Sequence, residues 1–146
     1  MRFRGELSIL FLSVTSLLSV ACQQPSDVAV VTQIIDGDTI VIKGGHCVRY
    51  IGVDAPEKGE FYYVEAKQMN EELVAGKKIR VERDISDGDE YGRLLRYVYV
   101  GDIFVNAEMV KQGCAWAKAY PPDVKYQVYL ESVEKEARQL KRGVWR

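Results

Sequence analysis

Residues 28–53 read VAVVTQIIDGDTIVIKGGHCVRYIGV, and this stretch decides the fold. Three runs rich in β-branched and apolar residues, a composition typical of strands, lie at 28–35, 39–43 and 46–53. Asp-Gly-Asp at 36–38 separates the first two runs, and Gly-Gly at 44–45 separates the second from the third. Because short turns of this kind join antiparallel neighbours, the stretch predicts a three-stranded meander.

After this meander the hydrophobic pattern changes its period. Apolar residues recur at helical spacing between Tyr62 and Leu73, which predicts a helix. The pattern further on predicts strands at 77–84 and 93–100, followed by helices from about 106 to 112 and from about 122 to 141. The order β-β-β-α-β-β-α-α predicts an α+β fold, a five-stranded OB-type Greek-key barrel with three α-helices. Such barrels often bind nucleic acids or sugars, although a fold alone does not fix a function.

The first residues have the pattern of an export signal. Arg2 and Arg4 precede an uncharged stretch at 7–21, which predicts a signal peptide over residues 1–21 of a protein exported from a bacterial cell. Ala21-Cys22 also resembles a bacterial lipoprotein box, in which Cys22 would carry a lipid anchor to the membrane. Secretion, periplasmic location, a lipid-anchored form and a retained N-terminal anchor all remain open. We interpret 22–27 as a tether and 28–146 as the folded domain.

Two cysteines fall inside this domain. Because an exported protein meets an oxidising compartment, Cys47 and Cys114 could form a disulfide. Two buried free thiols are the alternative, and the sequence does not decide between them. No feature of the sequence indicates a protein partner, so we expect a monomer.

Composition excludes several classes of site. The chain has 20 Lys and Arg residues against 21 Asp and Glu residues, a net charge of −1, so any anion site must be local. Its one histidine, His46, cannot form a paired-histidine centre, and no cysteine pair has the spacing of zinc ligands. There is also no glycine-rich phosphate loop.

What remains is a combination of acidic residues and arginines. Acidic residues cluster at three predicted turns or strand ends, at 36–38, 54–57 and 87–90. Carboxylate oxygens are ligands for Ca²⁺ or Mg²⁺ rather than for zinc. Arg49 and Arg93 lie near these acids, and arginine can grip a phosphate with two hydrogen bonds. A cation site, phosphate-binding arginines and a spare carboxylate as base would together make a phosphodiesterase site.

Several segments together resemble the staphylococcal nuclease (thermonuclease) family. They are IDGDTIVI at 35–42, VRYIGVDAPE at 48–57, DEYGRLLRYVY at 89–99, VNAEMVKQGCAWA at 105–117 and GVW at 143–145. The resemblance implies a barrel of five strands with three helices. It also implies a Ca²⁺-dependent endonuclease that cleaves DNA and RNA with little sequence preference.

The resemblance also assigns roles to residues. Asp38 and Asp54 match the carboxylate ligands of Ca²⁺, and Ala55 stands where the family offers a backbone carbonyl to the ion. Glu57 matches the residue assigned as general base for the attacking water. The implied cleavage breaks the bond to the 5′-oxygen and leaves a 3′-phosphate.

The remaining matches concern the substrate. Arg49 and Arg93 match the two arginines that bind the scissile phosphate and stabilise the transition state. Of the family's pair of nucleotide-contacting tyrosines only Tyr120 remains, with Trp116 nearby as a stacking surface. The loop after Glu57 is also shorter than in the founding member. A barrel that binds nucleic acid without cutting it, or a surface interaction module, is the alternative function.

Overall fold

A computed structural model describes residues 27–146 of the chain. The predicted export signal at 1–21, Cys22 and nearly all of the predicted tether at 22–27 therefore lie outside the described residues. Among the helices of the described part, none combines the length and the apolar character that a membrane crossing needs.

Five of the strands form a closed barrel. The described part of the chain contains the strands β1 (Val28–Ile34), β2 (Thr39–Ile42), β3 (Cys47–Tyr50), β4 (Val53–Asp54), β5 (Lys78–Glu82), β6 (Leu94–Val100), β7 (Ile103–Phe104) and β8 (Trp116–Ala117). Antiparallel pairing links β3 to β2, β2 to β1, β1 to β5 and β5 to β6. A parallel pairing of β3 with β6 then closes the barrel. The predicted five-stranded barrel is confirmed.

Three helices and a short 3-10 turn cover this barrel. They are α1 (Tyr63–Val74), α2 (Val105–Lys111), α3 (Gln127–Gln139) and a 3-10 helix at Gly143–Trp145. The barrel strands and α2 supply most of the fully buried core, including Ile40, Val48, Ile79, Val98 and Met109. From α3, Leu130 and Ala137 reach the same core. The helices therefore bury one side of the barrel.

The third predicted strand, 46–53, is wrong as a single element. Gly52 has a φ of +77°, which ends β3 and turns the chain into β4. A Cβ at Gly52 would also lie 2.5 Å from Leu130 Cδ1, so any larger residue here would force the Leu130 side chain of α3 to move. Because β4 pairs with β8 outside the barrel, Asp54 leaves the direction of β3.

The last helix begins later than predicted, at Gln127 instead of about residue 122. The preceding residues direct their polar groups to other parts of the chain. The buried Asp123 carboxylate accepts a hydrogen bond from the Ser86 N–H at 2.7 Å. The Lys125 N–H donates to Asp84 Oδ2 at 3.0 Å. These contacts tie the segment to the loop before β6 and keep it out of the helix.

The two cysteines of the domain are free thiols in the structure. Cys47 is half-buried on β3, and Cys114 is buried just after α2. Of the two alternatives that the sequence leaves open, the structure therefore shows the one without a disulfide.

Candidate active site

Arg49 is the centre of the candidate site. It projects from β3 and is only 9% exposed. Its Nη1 donates to the carbonyl oxygens of Tyr50 and Val53, both at 2.8 Å. Its Nη2 lies 3.2 Å from Asp38 Oδ2 and 3.1 Å from Asp54 Oδ1. The guanidinium thus spans the turn between β3 and β4 and brings both predicted metal ligands to one nitrogen.

Asp38 is the more buried of these two carboxylates, at 4% exposure. Its Oδ2 accepts a hydrogen bond from the Ala55 N–H at 2.7 Å, and its Oδ1 accepts one from Thr39 Oγ1 at 2.9 Å. Burial raises the pKa of Asp38 to about 6, although the positive charge of Arg49 opposes the shift. The carboxylate is therefore held in place but is easily protonated in mildly acidic solution.

Helix α1 supports this part of the site through Asn70, which is fully buried. The Asn70 Nδ2 donates to the Asp36 carbonyl oxygen at 2.8 Å, and its Oδ1 accepts from the Tyr50 hydroxyl at 2.8 Å. One side chain thus ties the turn that carries Asp38 to the strand that carries Arg49. Sequence reasoning missed Asn70, although a polar residue on the apolar side of a predicted helix is a usable signal.

Arg93 lies just before β6 and is oriented by Asp89. Its Nε donates to Asp89 Oδ2 at 2.7 Å, and its backbone N–H donates to Asp89 Oδ1 at 3.0 Å. Burial acts to raise the pKa of Asp89, but the hydrogen bonds from Arg93 outweigh it and hold this pKa below its usual value. Asp89, which lies in one of the predicted acidic clusters, therefore acts as the partner that fixes Arg93.

A cleft of about 360 Å³ brings three of the predicted site residues together. Arg49, Arg93 and Tyr120 all line it, although they come from β3, the loop before β6 and the segment after β8. Other lining residues are Asp89, Tyr91, Leu95 and Pro122. Two arginines and aromatic rings in one cleft can bind a phosphate beside a planar group.

Glu57 and Trp116 are not part of that cleft lining. Glu57 is exposed, and its backbone N–H donates to Glu60 Oε2 at 2.6 Å. Within residues 27–146 no hydrogen bond or ion pair engages its carboxylate. Trp116 is half-buried on β8, where it pairs in register with Asp54. The structure therefore places Trp116 beside the predicted metal ligand and leaves Glu57 exposed.

Lys118 is a site residue that sequence reasoning missed. Its Nζ lies 2.9 Å from Asp54 Oδ2 and 5.3 Å from the centre of the Tyr120 ring. The hydrogen bond to Asp54 is the main reason that the pKa of Lys118 is raised. No local motif marks this lysine, because only the pairing of β4 with β8 brings residues 54 and 118 together.

Comparison with known proteins agrees with this geometry. The family model for staphylococcal nuclease homologues matches residues 47–146. The chain belongs to the staphylococcal nuclease family. It is 39% identical to a protein named thermonuclease from Staphylococcus intermedius over 124 residues, which covers 79% of this chain and 74% of that protein.

Other members of the staphylococcal nuclease family are similarly related. An uncharacterized endonuclease of Escherichia coli O157:H7 is 38% identical, with 79% of this chain and 74% of that protein covered. Endonuclease YncB of Bacillus subtilis is 41% identical, with 76% of this chain and 58% of that protein covered. The resemblance drawn from the sequence motifs is therefore confirmed.

The Ca²⁺ implied by staphylococcal nuclease membership can be tested against the donors present. In the described part of the chain, no group of three acidic, histidine or cysteine side chains converges as metal ligands. However, Asp38 and Asp54 both reach one point, the Nη2 of Arg49, and Ala55 follows Asp54 directly. Two carboxylates and a carbonyl are hard oxygen donors, which fit Ca²⁺ with water as further ligands and do not fit zinc.

Proposed function

We propose that the protein is a nuclease, a Ca²⁺-dependent phosphodiesterase that hydrolyses DNA or RNA with little sequence preference. The observation that carries this proposal is the placement of Arg49 and Arg93 in one cleft, with Asp38 and Asp54 bound to Arg49. The names of the relatives, thermonuclease and endonuclease, support it.

The two arginines bind and stabilise the phosphate. Asp89 engages the Nε of Arg93, which leaves the two terminal nitrogens of that side chain for phosphate oxygens. Arg49 lies on β3, which pairs directly with β6. Its two terminal nitrogens already have partners, so its Nε–H is the donor left for the phosphate. Because negative charge on these oxygens grows in the transition state, donors fixed in advance stabilise it more than the ground state.

Asp38, Asp54 and the carbonyl oxygen of Ala55 would hold the Ca²⁺. When bound, the ion would supply positive charge that polarises the phosphate and favours deprotonation of the attacking water. Hydrogen bonds from the Ala55 N–H and Thr39 Oγ1 orient the Asp38 carboxylate.

Glu57 is proposed as the general base. It lies three residues after Asp54, and its side chain is exposed and open to water. In the proposed step the water oxygen attacks phosphorus, one water proton passes to Glu57, and the bond to the 5′-oxygen breaks. The leaving 5′-oxygen takes up a proton from solvent water, and Glu57 releases its proton to solvent. The products are a 3′-phosphate and a free 5′-hydroxyl.

The test is cleavage of plasmid DNA and of RNA by the purified protein, with analysis of the ends that are formed. We expect 3′-phosphate ends in Ca²⁺, and strongly reduced cleavage by Glu57→Gln with binding retained in a gel shift. If the wild-type protein binds but does not cut, the barrel is a binding module and the proposed activity is wrong.

We further propose that the protein is exported, because residues 1–21 have the pattern of a signal peptide. Mass spectrometry of the mature protein from the bacterial cell tests this. A chain that begins near Cys22 is expected, with added lipid mass if the protein is a lipoprotein and without it if it is secreted. A mature chain that still begins at Met1 would contradict export by cleavage.

A further inference from the structure

We propose that Lys118, which lies beside the cleft, is a phosphate-binding residue that contacts the substrate phosphate next to the scissile one. This proposal rests on the proposed nuclease function, since it names a further contact of the same site. The ligand is the phosphodiester backbone of a single-stranded nucleic acid.

The position of Lys118 is set by the backbone and not by its own ion pair. Its N–H donates to the Gly52 carbonyl oxygen at 2.9 Å, next to the two-residue pairing of β4 with β8. Its side chain is 52% exposed, so the Asp54–Lys118 pair is open to solvent and adds little to folding stability. A lysine is therefore not required here to hold the fold.

The ammonium group lies between two parts of the proposed site. On one side it contacts Asp54, whose other oxygen contacts Arg49. On the other side it faces Tyr120, whose ring lines the cleft. A phosphate bound by Arg49 with its base near Tyr120 would place the next part of the backbone beside this ammonium.

Lys118 keeps the local charges compatible with an anion at this point. Asp54 is the only carboxylate that Lys118 contacts within residues 27–146, and it shares its single negative charge with Arg49. Arg49 also contacts Asp38, so the two cations together balance two carboxylates, and loss of Lys118 would leave this group negatively charged. Ca²⁺ bound to Asp54 would give the group an excess of positive charge, and the exposed Lys118 side chain could then turn to the substrate.

Lys125 provides a matched control elsewhere on the surface. Its side chain is also 52% exposed and is also paired with one carboxylate, that of Glu82. Its Nζ lies 5.1 Å from the centre of the Tyr126 ring, close to the 5.3 Å between Lys118 and the Tyr120 ring. Neither lysine lines the cleft itself, but the carboxylate paired with Lys118 also contacts Arg49 and the one paired with Lys125 does not, so the two lysines differ mainly in location.

The experiment measures binding of a fluorescent single-stranded oligonucleotide by anisotropy, in chelator and over a series of salt concentrations. Chelator prevents Ca²⁺-dependent cleavage, so binding is measured separately from nuclease activity. Oligonucleotide binding can therefore fail in a protein that is an active nuclease, and cleavage can fail in a protein that binds. For Lys118→Met we expect about tenfold weaker binding and a salt slope reduced by about 0.7, the value for one lost phosphate contact on a single strand. Lys118→Arg should keep the wild-type slope, and Lys125→Met should change neither quantity.

A second readout separates binding from a structural role. Lys118→Met also removes a cation from Asp54, so we expect this variant to bind Ca²⁺ more tightly in calorimetry while it binds the oligonucleotide more weakly. An unchanged salt slope in Lys118→Met would overturn the proposal. So would equal losses in Lys118→Met and Lys125→Met, or a wild-type protein with no measurable oligonucleotide binding.

Discussion

At the scale of single residues, Arg49 connects the fold to the proposed chemistry. Two of its hydrogen bonds go to backbone carbonyl oxygens around the Gly52 turn, and its other contacts are the carboxylates of Asp38 and Asp54. A guanidinium can make these bonds at once because its donors are fixed in a plane. A lysine at this position could not reproduce that pattern.

This geometry leads to a prediction for Arg49→Lys. We expect cleavage in a single-turnover assay to slow by about 10²–10³, because one fixed donor to the developing charge is lost. Arg80→Lys is the control, since Arg80 is an arginine of β5 with a side chain 52% exposed. Equal rates for wild type and Arg49→Lys would contradict the role given to this residue.

The raised pKa of Asp38 predicts a pH dependence of Ca²⁺ binding. Its folded-state pKa is about 6, above the usual carboxyl value, so below that pH the residue is mostly protonated and a proton competes with the ion. We expect Ca²⁺ affinity to fall about tenfold per pH unit below about pH 6 and to level off above it. Titration calorimetry between about pH 5 and about pH 8 measures this.

The raised pKa of Asp38 has the opposite effect on the folding stability of the ion-free protein, which is favoured at acidic pH. Because the folded state binds the proton more tightly than the unfolded state, Asp38 favours folding at acidic pH and this contribution is lost as the pH rises through about 6.

Ca²⁺ affinity that does not change between about pH 5 and about pH 7 would show that Asp38 is not a ligand.

The two thiols should differ in reactivity. Burial raises the pKa of Cys114 to about 11, so its thiol is both covered and protonated at neutral pH. Cys47 is half-buried. We expect a thiol reagent to label Cys47 first in the native protein, and to label both cysteines only after unfolding. Mass spectrometry of the labelled peptides checks this, and no labelling of either cysteine in unfolded, unreduced protein would indicate a disulfide instead.

At the scale of elements, the break between β3 and β4 makes the site possible. Gly52 turns the chain so that Asp54 lies across from β8, where Lys118 reaches it. This break could not be predicted from the sequence, since apolar residues continue on both sides of Gly52 and resemble one strand. The predicted start of α3 at residue 122 was also wrong. Proline is common at the start of helices, so Pro122 resembled the first residue of the helix.

A substitution at Gly52 should therefore be costly. Gly52→Ala meets both an unfavourable φ of +77° and a contact of 2.5 Å with Leu130, and we expect a loss of about 2–4 kcal/mol in the free energy of unfolding. Gly92→Ala is a matched control, because Gly92 has a φ of +78° but open space around it. For Gly92→Ala we expect a loss of about 1 kcal/mol in the free energy of unfolding. Denaturant unfolding compares the two, and equal losses would contradict the packing argument.

At the scale of the whole molecule, the barrel could be predicted because its signals are local. Each signal occupies only a few residues. Examples are the turns at 36–38 and 44–45 and the alternation of apolar and charged residues in β5. Contacts between distant segments were not predictable in this way. Asn70 and Lys118 act through residues 20 or more positions away, and only the closed barrel and the pairing of β4 with β8 bring these partners together.

The charge of the whole chain also has a consequence for the proposed function. With a net charge of −1, the protein has no overall attraction for a polyanion. We therefore expect binding to depend on the two arginines of the cleft, Arg49 and Arg93, and on Lys118 beside it.

The most direct test of the central claim is the rate of plasmid cleavage by the wild-type protein in Ca²⁺ and in excess chelator, beside the Asp54→Asn variant. The proposed site predicts cleavage by wild type in Ca²⁺, none in chelator, and a strong loss in Asp54→Asn that added Ca²⁺ only partly restores. Full cleavage in excess chelator, or a variant as active as the wild type, would contradict a nuclease site built on Asp38, Asp54 and Arg49.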